Sequence, residues 1–437
     1  MDKTDMQVPT YPCKGYYLNR IFATVQSFIV IKQQLKQCVA TENSSMITIR
    51  LFRSLMVFGV LSLAAVPVAF GQQESSAVNQ FNSSSPALNA ELVVASYLSW
   101  FGQEISDQKL PGAALAIVSK DKVLDVHTWG VRSKQGNEIV DQDSLFRIAS
   151  VSKTFAGTVA SLVAGSGQQP LETPLRQILP QLVIGTKPSS QQITLKDVIS
   201  HTTGLMPHAY SNMLDDGVAY EKIQEKFQQI PTVCSPGRCY GYQNVVFSLI
   251  ADVVEVSTQK SYEDYLYEQL FVPLGMTSAS TGLDKFESSN NATAPHRLVR
   301  GNWRVTSNNP AYYTVAPAAG INASILDMAI WARANLGAFP GVLDLDFLHN
   351  QHEPVVETPR GNYFNRWEGL EKAYYALGWR VFDYRGLRVI HHGGGVRGFR
   401  SEVAIVPEKN VAMVALFNAE TRFANDIVPE FLDKLVD

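Results

Sequence analysis

The segment Phe146-Arg147-Ile148-Ala149-Ser150-Val151-Ser152-Lys153-Thr154-Phe155-Ala156-Gly157 changes character halfway along. It begins as an apolar extended run. It continues as a small-residue helical pattern from Val151 to about Gly165. Ser150 and Lys153 stand at this junction. Three residues apart, they share one face of the helix. A serine hydroxyl is a poor nucleophile until a neighbour takes its proton, and an uncharged amine does so. This offers acyl transfer without a Ser-His-Asp triad. The same spacing at Ser119/Lys122 falls in a charged turn between strand-like runs. At Ser257/Lys260 it falls in a polar break between helical patterns. Only Ser150 opens a long helix.

The rest of the chain is ordered strands, helices, strands. Helical periodicity spans Leu92 to about Glu104. Apolar β-prone runs, Ala113 to Val118 and Val123 to Trp129, flank the Lys120-Asp121 turn. In the middle, Thr194 and Asp197 have capping-box spacing, with Gly204 as a stop signal. Val245 to Val256 and Tyr262 to Leu270 repeat at helical period, and Pro273-Leu274-Gly275 ends the second. Ser324 is placed to cap Ile325 to Leu336. Strand patterns then return at Tyr375–Val381, Arg388–His391, Ser401–Val406 and Val411–Phe417. A helix from about Ala424 to Val436 closes the chain. The pattern predicts an α/β (α+β) fold: an antiparallel sheet from both ends of the domain, flanked by helices, with a mainly helical insertion.

The 437 residues suffice for two ordinary domains or one large one. A net charge of −3 and the lack of any Lys/Arg-rich block argue against a nucleic-acid partner. Met46-Ile47-Thr48-Ile49-Arg50-Leu51-Phe52-Arg53, an apolar run of about 16 residues from Leu55 to Phe70, and Ala69-Phe70-Gly71 have the layout of a secretory signal. The expected organisation is an upstream extension 1–45 outside the true reading start, a signal peptide 46–71, a Ser/Asn/Gln-rich leader 72–88 and a globular domain 89–437. The expected location is periplasmic or secreted, with no stable membrane span once the signal is cleaved. An uncleaved signal would instead leave a membrane anchor.

Further stretches carry chemistry. Tyr242-Gln243-Asn244 precedes a helix. The Tyr242 phenol is a general base or proton shuttle if cations such as Lys153 lower its pKa from about 10. The Asn244 amide both donates and accepts. His392-Gly393-Gly394-Gly395 lies between apolar strands, where glycines let a substrate approach the backbone and present amides to a developing oxyanion. Cys234 and Cys239 flank a Pro-Gly turn, either as a disulfide or as two free thiols. No cofactor or metal site is expected. His391 and His392 have no acid or third histidine at ligand spacing.

Together these pieces resemble the serine β-lactamase and penicillin-binding protein superfamily, nearest to class C β-lactamases, D-alanyl-D-alanine carboxypeptidases and related esterases. The resemblance covers roughly Leu92 to Asp437. It rests on Phe146 to Lys153, Ser200-His201-Thr202-Thr203-Gly204-Leu205, Tyr242-Gln243-Asn244, Pro273-Leu274-Gly275-Met276, Pro317-Ala318-Ala319-Gly320 and His392 to Phe399. It implies that Ser150 is the acylated nucleophile and that Lys153 takes its proton, directly or through Tyr242. Tyr242 would pass a proton to the leaving group, and Asn244 would bind the substrate amide. The N–H groups of Ser150 and Gly395 would form the oxyanion hole. The His201–Leu205 stretch matches a family turn that reads as structural, and no catalytic role is expected of it. The substrate that the resemblance implies would be a small molecule or peptide: an ester, an amide, a D-amino-acid peptide or a β-lactam. A non-catalytic penicillin-binding or scaffold protein on this fold is the alternative. One departure is that His392-Gly393 stands where class C β-lactamases usually carry Lys-Thr. A neutral ring and a missing hydroxyl are expected to weaken binding of a substrate carboxylate.

Overall fold

The computed structural model describes residues 86–436 except 168 and 360. The expected upstream extension, signal peptide and residues 72–85 of the leader lie outside the described residues. Residues 86–88 were also expected in the leader but open the helix Pro86–Asp107.

The first hairpin comprises β1 (Gly112–Val118) and β2 (Val123–Gly130). Short strands follow: β3 (Phe146–Arg147), β4 (Ser280–Thr281), β5 (His296–Val299), β6 (Asn302–Val305) and β7 (Ile321–Ala323). The C-terminal part supplies β8 (Val356–Glu357), β9 (Leu370–Tyr375), β10 (Arg380–Tyr384), β11 (Leu387–Val396), β12 (Phe399–Val406) and β13 (Val411–Phe417). One eight-stranded sheet has the order β2-β1-β13-β12-β11-β10-β9-β8. The N-terminal hairpin joins it through the antiparallel β1–β13 pair, with Ala113 opposite Phe417. Both ends of the domain therefore build one sheet, as the sequence pattern predicts.

That sheet is covered on both faces. Every residue of β1 and β13 is buried, which explains why these strands read as continuous apolar runs rather than alternating ones. One face packs Leu115, Met413 and Phe417 against Tyr97 and Phe101 of the first helix and Phe431 of the last, Ile427–Val436. The other face packs Val403, Val414 and Leu416 against the helical insertion, including Phe155 and Trp331.

Local sequence signals account for several helices. Thr194 and Asp197 form the capping box of Leu195–Ile199, and Ser324 and Asp327 that of Ile325–Asn335. Gly275 ends the Val272–Leu274 turn at φ 79°.

Two strand expectations need correction. Tyr375–Val381 is not one strand but the end of β9, a turn and the start of β10. Gly378 makes the turn at φ +85°, where a Cβ would come within 2.4 Å of the Lys153 carbonyl oxygen. The apolar run crosses the turn because this corner packs on the helix Ser152–Gly165. The second strand does not stop at His391. It runs through the glycines to Val396.

Candidate active site

Ser150 sits in a single 3₁₀ turn, Ala149–Val151, ahead of the helix Ser152–Gly165. Three long-range bonds bolt this turn in place. Ser401 Oγ on β12 donates to the Ile148 carbonyl at 2.6 Å, and Ile148 N–H donates to Ile321 O at 3.1 Å. Ile321 N–H donates to Ser152 Oγ at 3.1 Å. Ala149, next to the serine, is held at φ 49°, an unfavourable conformation for alanine that the surrounding bonds enforce.

One turn along, Lys153 is wholly buried. Its Nζ lies 3.5 Å from Ser150 Oγ, 2.8 Å from Asn244 Oδ1 and 2.9 Å from the Ala318 carbonyl oxygen. Burial drives its pKa well below the usual lysine value, and the Arg380 guanidinium lowers it further. An uncharged amine keeps two N–H donors for Asn244 and Ala318 and leaves its lone pair for Ser150.

Tyr242 lies beside Ser150, whose hydroxyl favours the ionised phenol. Its ring centroid is 4.7 Å from Lys153 Nζ. The expected lowering of its pKa does not hold. Burial raises it well above the ordinary phenol value, and Arg380, rather than Lys153, is the cation that opposes the rise. Tyr242 is therefore a neutral hydroxyl.

The glycine stretch lies along one edge of β11. Pairing with β10 ends at His391, whereas pairing with β12 continues to Val396. The β10-side edge of His392–Val396 thus opens onto a cavity of about 480 Å³ lined by Tyr242, Arg380, Gly393, Gly394, Gly395 and Arg400, among others. A Cβ on Gly394 would come within 2.3 Å of the Ile148 carbonyl oxygen, so this glycine is what lets β11 meet the Ser150 turn. A Cβ on Gly393 would fall 2.5 Å from Glu402 Oε2. Glu402 is fully buried, 2.9 Å from His391 Nε2 and 3.2 Å from an Arg400 guanidinium nitrogen, so it has little room to yield. Gly393 is thus a steric requirement of this charged cluster.

His392 is buried, with Nε2 3.2 Å from the Tyr375 hydroxyl and Nδ1 2.9 Å from the Gly393 carbonyl oxygen. Both ring nitrogens are engaged within the protein. Burial, then Arg380 and Lys153, hold its pKa well below the usual histidine value, so the ring is neutral. It braces β11 against β9 rather than lining the cavity.

Cys234 and Cys239 are joined by a disulfide. It closes the loop just before Tyr240, Tyr242 and Asn244. Among the described residues, no group of three or more His, Cys, Asp or Glu side chains is arranged to hold a metal ion, and no helix is long and apolar enough to cross a membrane.

The sequence reading passed over Arg380. Its guanidinium lies 5.6 Å from the Tyr242 ring, 5.2 Å from Phe364 and 5.7 Å from Tyr375, and Nη1 donates to the Tyr240 hydroxyl at 3.4 Å. The available signal was a lone arginine within the apolar run Leu377-Gly378-Trp379-Arg380-Val381-Phe382.

Residues 94–436 match the family model described as Beta-lactamase. Similar proteins include an unguisins hydrolase of Aspergillus campestris, 27% identical over 357 residues, covering 77% of this chain and 64% of the relative. The Beta-lactamase of Escherichia coli K12 is 24% identical over 349 residues, covering 72% and 85%. A D-aminopeptidase of Brucella anthropi is 26% identical over 325 residues, covering 71% and 57%. This chain therefore spans less than two thirds of the fungal hydrolase and of the aminopeptidase. Among solved structures, the octameric penicillin-binding protein homologue from Pyrococcus abyssi superposes with a TM-score of 0.70 at 19% identity, covering 78% of this chain and 77% of that one. At that identity the likeness is one of fold.

Proposed function

This chain belongs to the beta-lactamase family, and from that membership and the site geometry we propose that it is an exported serine hydrolase working through an acyl-enzyme. The observation that carries this reading is the buried Lys153 amine, depressed in pKa and 3.5 Å from Ser150 Oγ. In the proposed cycle, Lys153 accepts the Ser150 proton as Oγ attacks the substrate carbonyl carbon. The N–H groups of Ser150 and Gly395 hold the resulting oxyanion. As the intermediate collapses, the neutral Tyr242 hydroxyl relays that proton from Lys153 to the departing amine or alcohol. Water then attacks the ester carbon, its proton passing along the same groups, and free Ser150 is restored.

Arg380 bears on the choice of substrate. A permanent guanidinium in the cavity supplies a charge that neutral His392 does not. Acyl donors carrying a carboxylate are thus the favoured class, among esters, D-amino-acid peptides and β-lactams.

The test uses purified mature protein with a fluorescent penicillin, a fluorophosphonate, nitrocefin, short-chain esters and D-Ala-D-Ala peptides. A covalent adduct on Ser150, and turnover abolished by Ser150→Ala in a folded variant, are expected. Absence of any adduct with both labels would replace this reading with that of a non-catalytic scaffold. Relative turnover across the panel separates lactamase, esterase and peptidase.

A further inference from the structure

We propose that His201 is a positioning residue that sets the backbone and ring of Tyr242, an inference that rests on the serine-hydrolase reading above. The two residues are 41 positions apart by their numbering, yet His201 grips the tyrosine from both sides. Its carbonyl oxygen accepts from Gly241 N–H at 2.8 Å, and its ring Nδ1 accepts from Gln243 N–H at 3.3 Å. The amides before and after Tyr242 are thus held by one residue, one through backbone and one through side chain. The imidazole also packs on the Tyr242 ring, with centroids 4.4 Å apart. Phe247 and Tyr375 lie behind it at 5.0 and 4.6 Å.

This grip requires an unusual backbone. His201 is held at φ 59°, in the left-handed region that is uncommon for residues other than glycine and is entered most often by Asn, Asp and His. That conformation ends the Leu195–Ile199 helix and lets backbone and ring reach the same three-residue stretch. The residue is buried. Burial, then the nearby cations Lys153 and Arg380, hold its pKa well below the usual histidine value. In the neutral ring the Gln243 N–H bond selects the tautomer protonated on Nε2, which leaves Nδ1 free to accept. A turn that reads as purely structural thereby fixes where a hydroxyl meets the nucleophile. Displacement of such a group by about 1 Å costs on the order of 100-fold in rate.

His201→Asn and His201→Gly test this. Asparagine places Oδ1 near the Nδ1 position and tolerates positive φ, whereas glycine keeps the backbone and deletes the acceptor and ring. With the ester or lactam the wild type turns over best, His201→Gly should lower kcat about 10- to 100-fold with little change in KM, and His201→Asn should restore most of it. Each variant is also made with Tyr242→Phe. Once the hydroxyl is absent, His201→Gly should have little further effect on kcat. An equal drop in both backgrounds, or an unrescued His201→Asn that melts like wild type, overturns the positioning role and leaves the hydrolase reading intact. If Ser150→Ala and Tyr242→Phe both keep full turnover, the reading beneath it fails instead.

Discussion

Lys153 Nζ lies 2.8 Å from Asn244 Oδ1, although 91 positions separate the two residues. That contact joins the nucleophile helix to the loop carrying Tyr242. With the Ala318 carbonyl it accounts for how a wholly buried lysine is tolerated. A buried ammonium is costly, but an amine with two acceptors is not. Burial therefore favours the uncharged amine at this position.

The first prediction concerns pH. In the proposed cycle Lys153 acts as an uncharged amine, so kcat/KM should rise with pH through its depressed pKa. Arg380 is the cation that lowers that pKa beyond the effect of burial. Arg380→Gln should shift the acid limb of the profile to higher pH, and should raise KM for carboxylate-bearing substrates about tenfold while leaving neutral esters nearly unchanged. A limb that stays put or moves down would contradict the assignment.

The same lysine makes a stability prediction. Its folded-state pKa is below its unfolded one, so between these values the unfolded chain binds more protons. Its contribution to stability is adverse below that window and improves as pH rises through it. Lys153→Met removes this dependence. The wild-type minus variant stability difference, from urea unfolding at several pH values, should therefore grow more favourable to wild type as pH increases.

Gly393→Ala should destabilise the protein by about 1–3 kcal/mol, because the methyl meets the buried Glu402 carboxylate. For the same reason, His392→Lys with Gly393→Thr should lower the melting temperature rather than add clean carboxylate affinity. A melting temperature at or above wild type would show that the cluster yields.

Replacing both Cys234 and Cys239 by serine should cost about 2 kcal/mol, the modest figure appropriate to a disulfide spanning five positions. Because that loop leads directly to Tyr240 and Tyr242, kcat should fall with stability. Chemical denaturation and steady-state kinetics, with and without reductant, measure both.

The N-terminus has its own test. Export through the signal at 46–71 predicts a mature chain beginning near Gln72, which intact mass and N-terminal analysis of the native protein would read. A chain retaining Met1 would contradict both export and the internal start.

Much of this protein is local information. The capping pairs Thr194/Asp197 and Ser324/Asp327 act within one turn, so their helices are visible in the sequence. The Ser150–Lys153 pairing is equally local, since helix geometry places the two side chains on one face. Strand patterns at both ends of the domain, with helices between, point to one sheet built from both. Charge state, steric demand and backbone clamping depend instead on atoms brought together from afar. The Tyr242 phenol is neutral because burial outweighs Arg380. Gly393 is small because Glu402 lies beneath it. His201 matters because its turn closes on a loop some forty residues later. Residue spacing along a chain encodes periodicity and short-range bonds, whereas solvation and electrostatic energy are set by what surrounds a group in three dimensions, and only tertiary packing decides that.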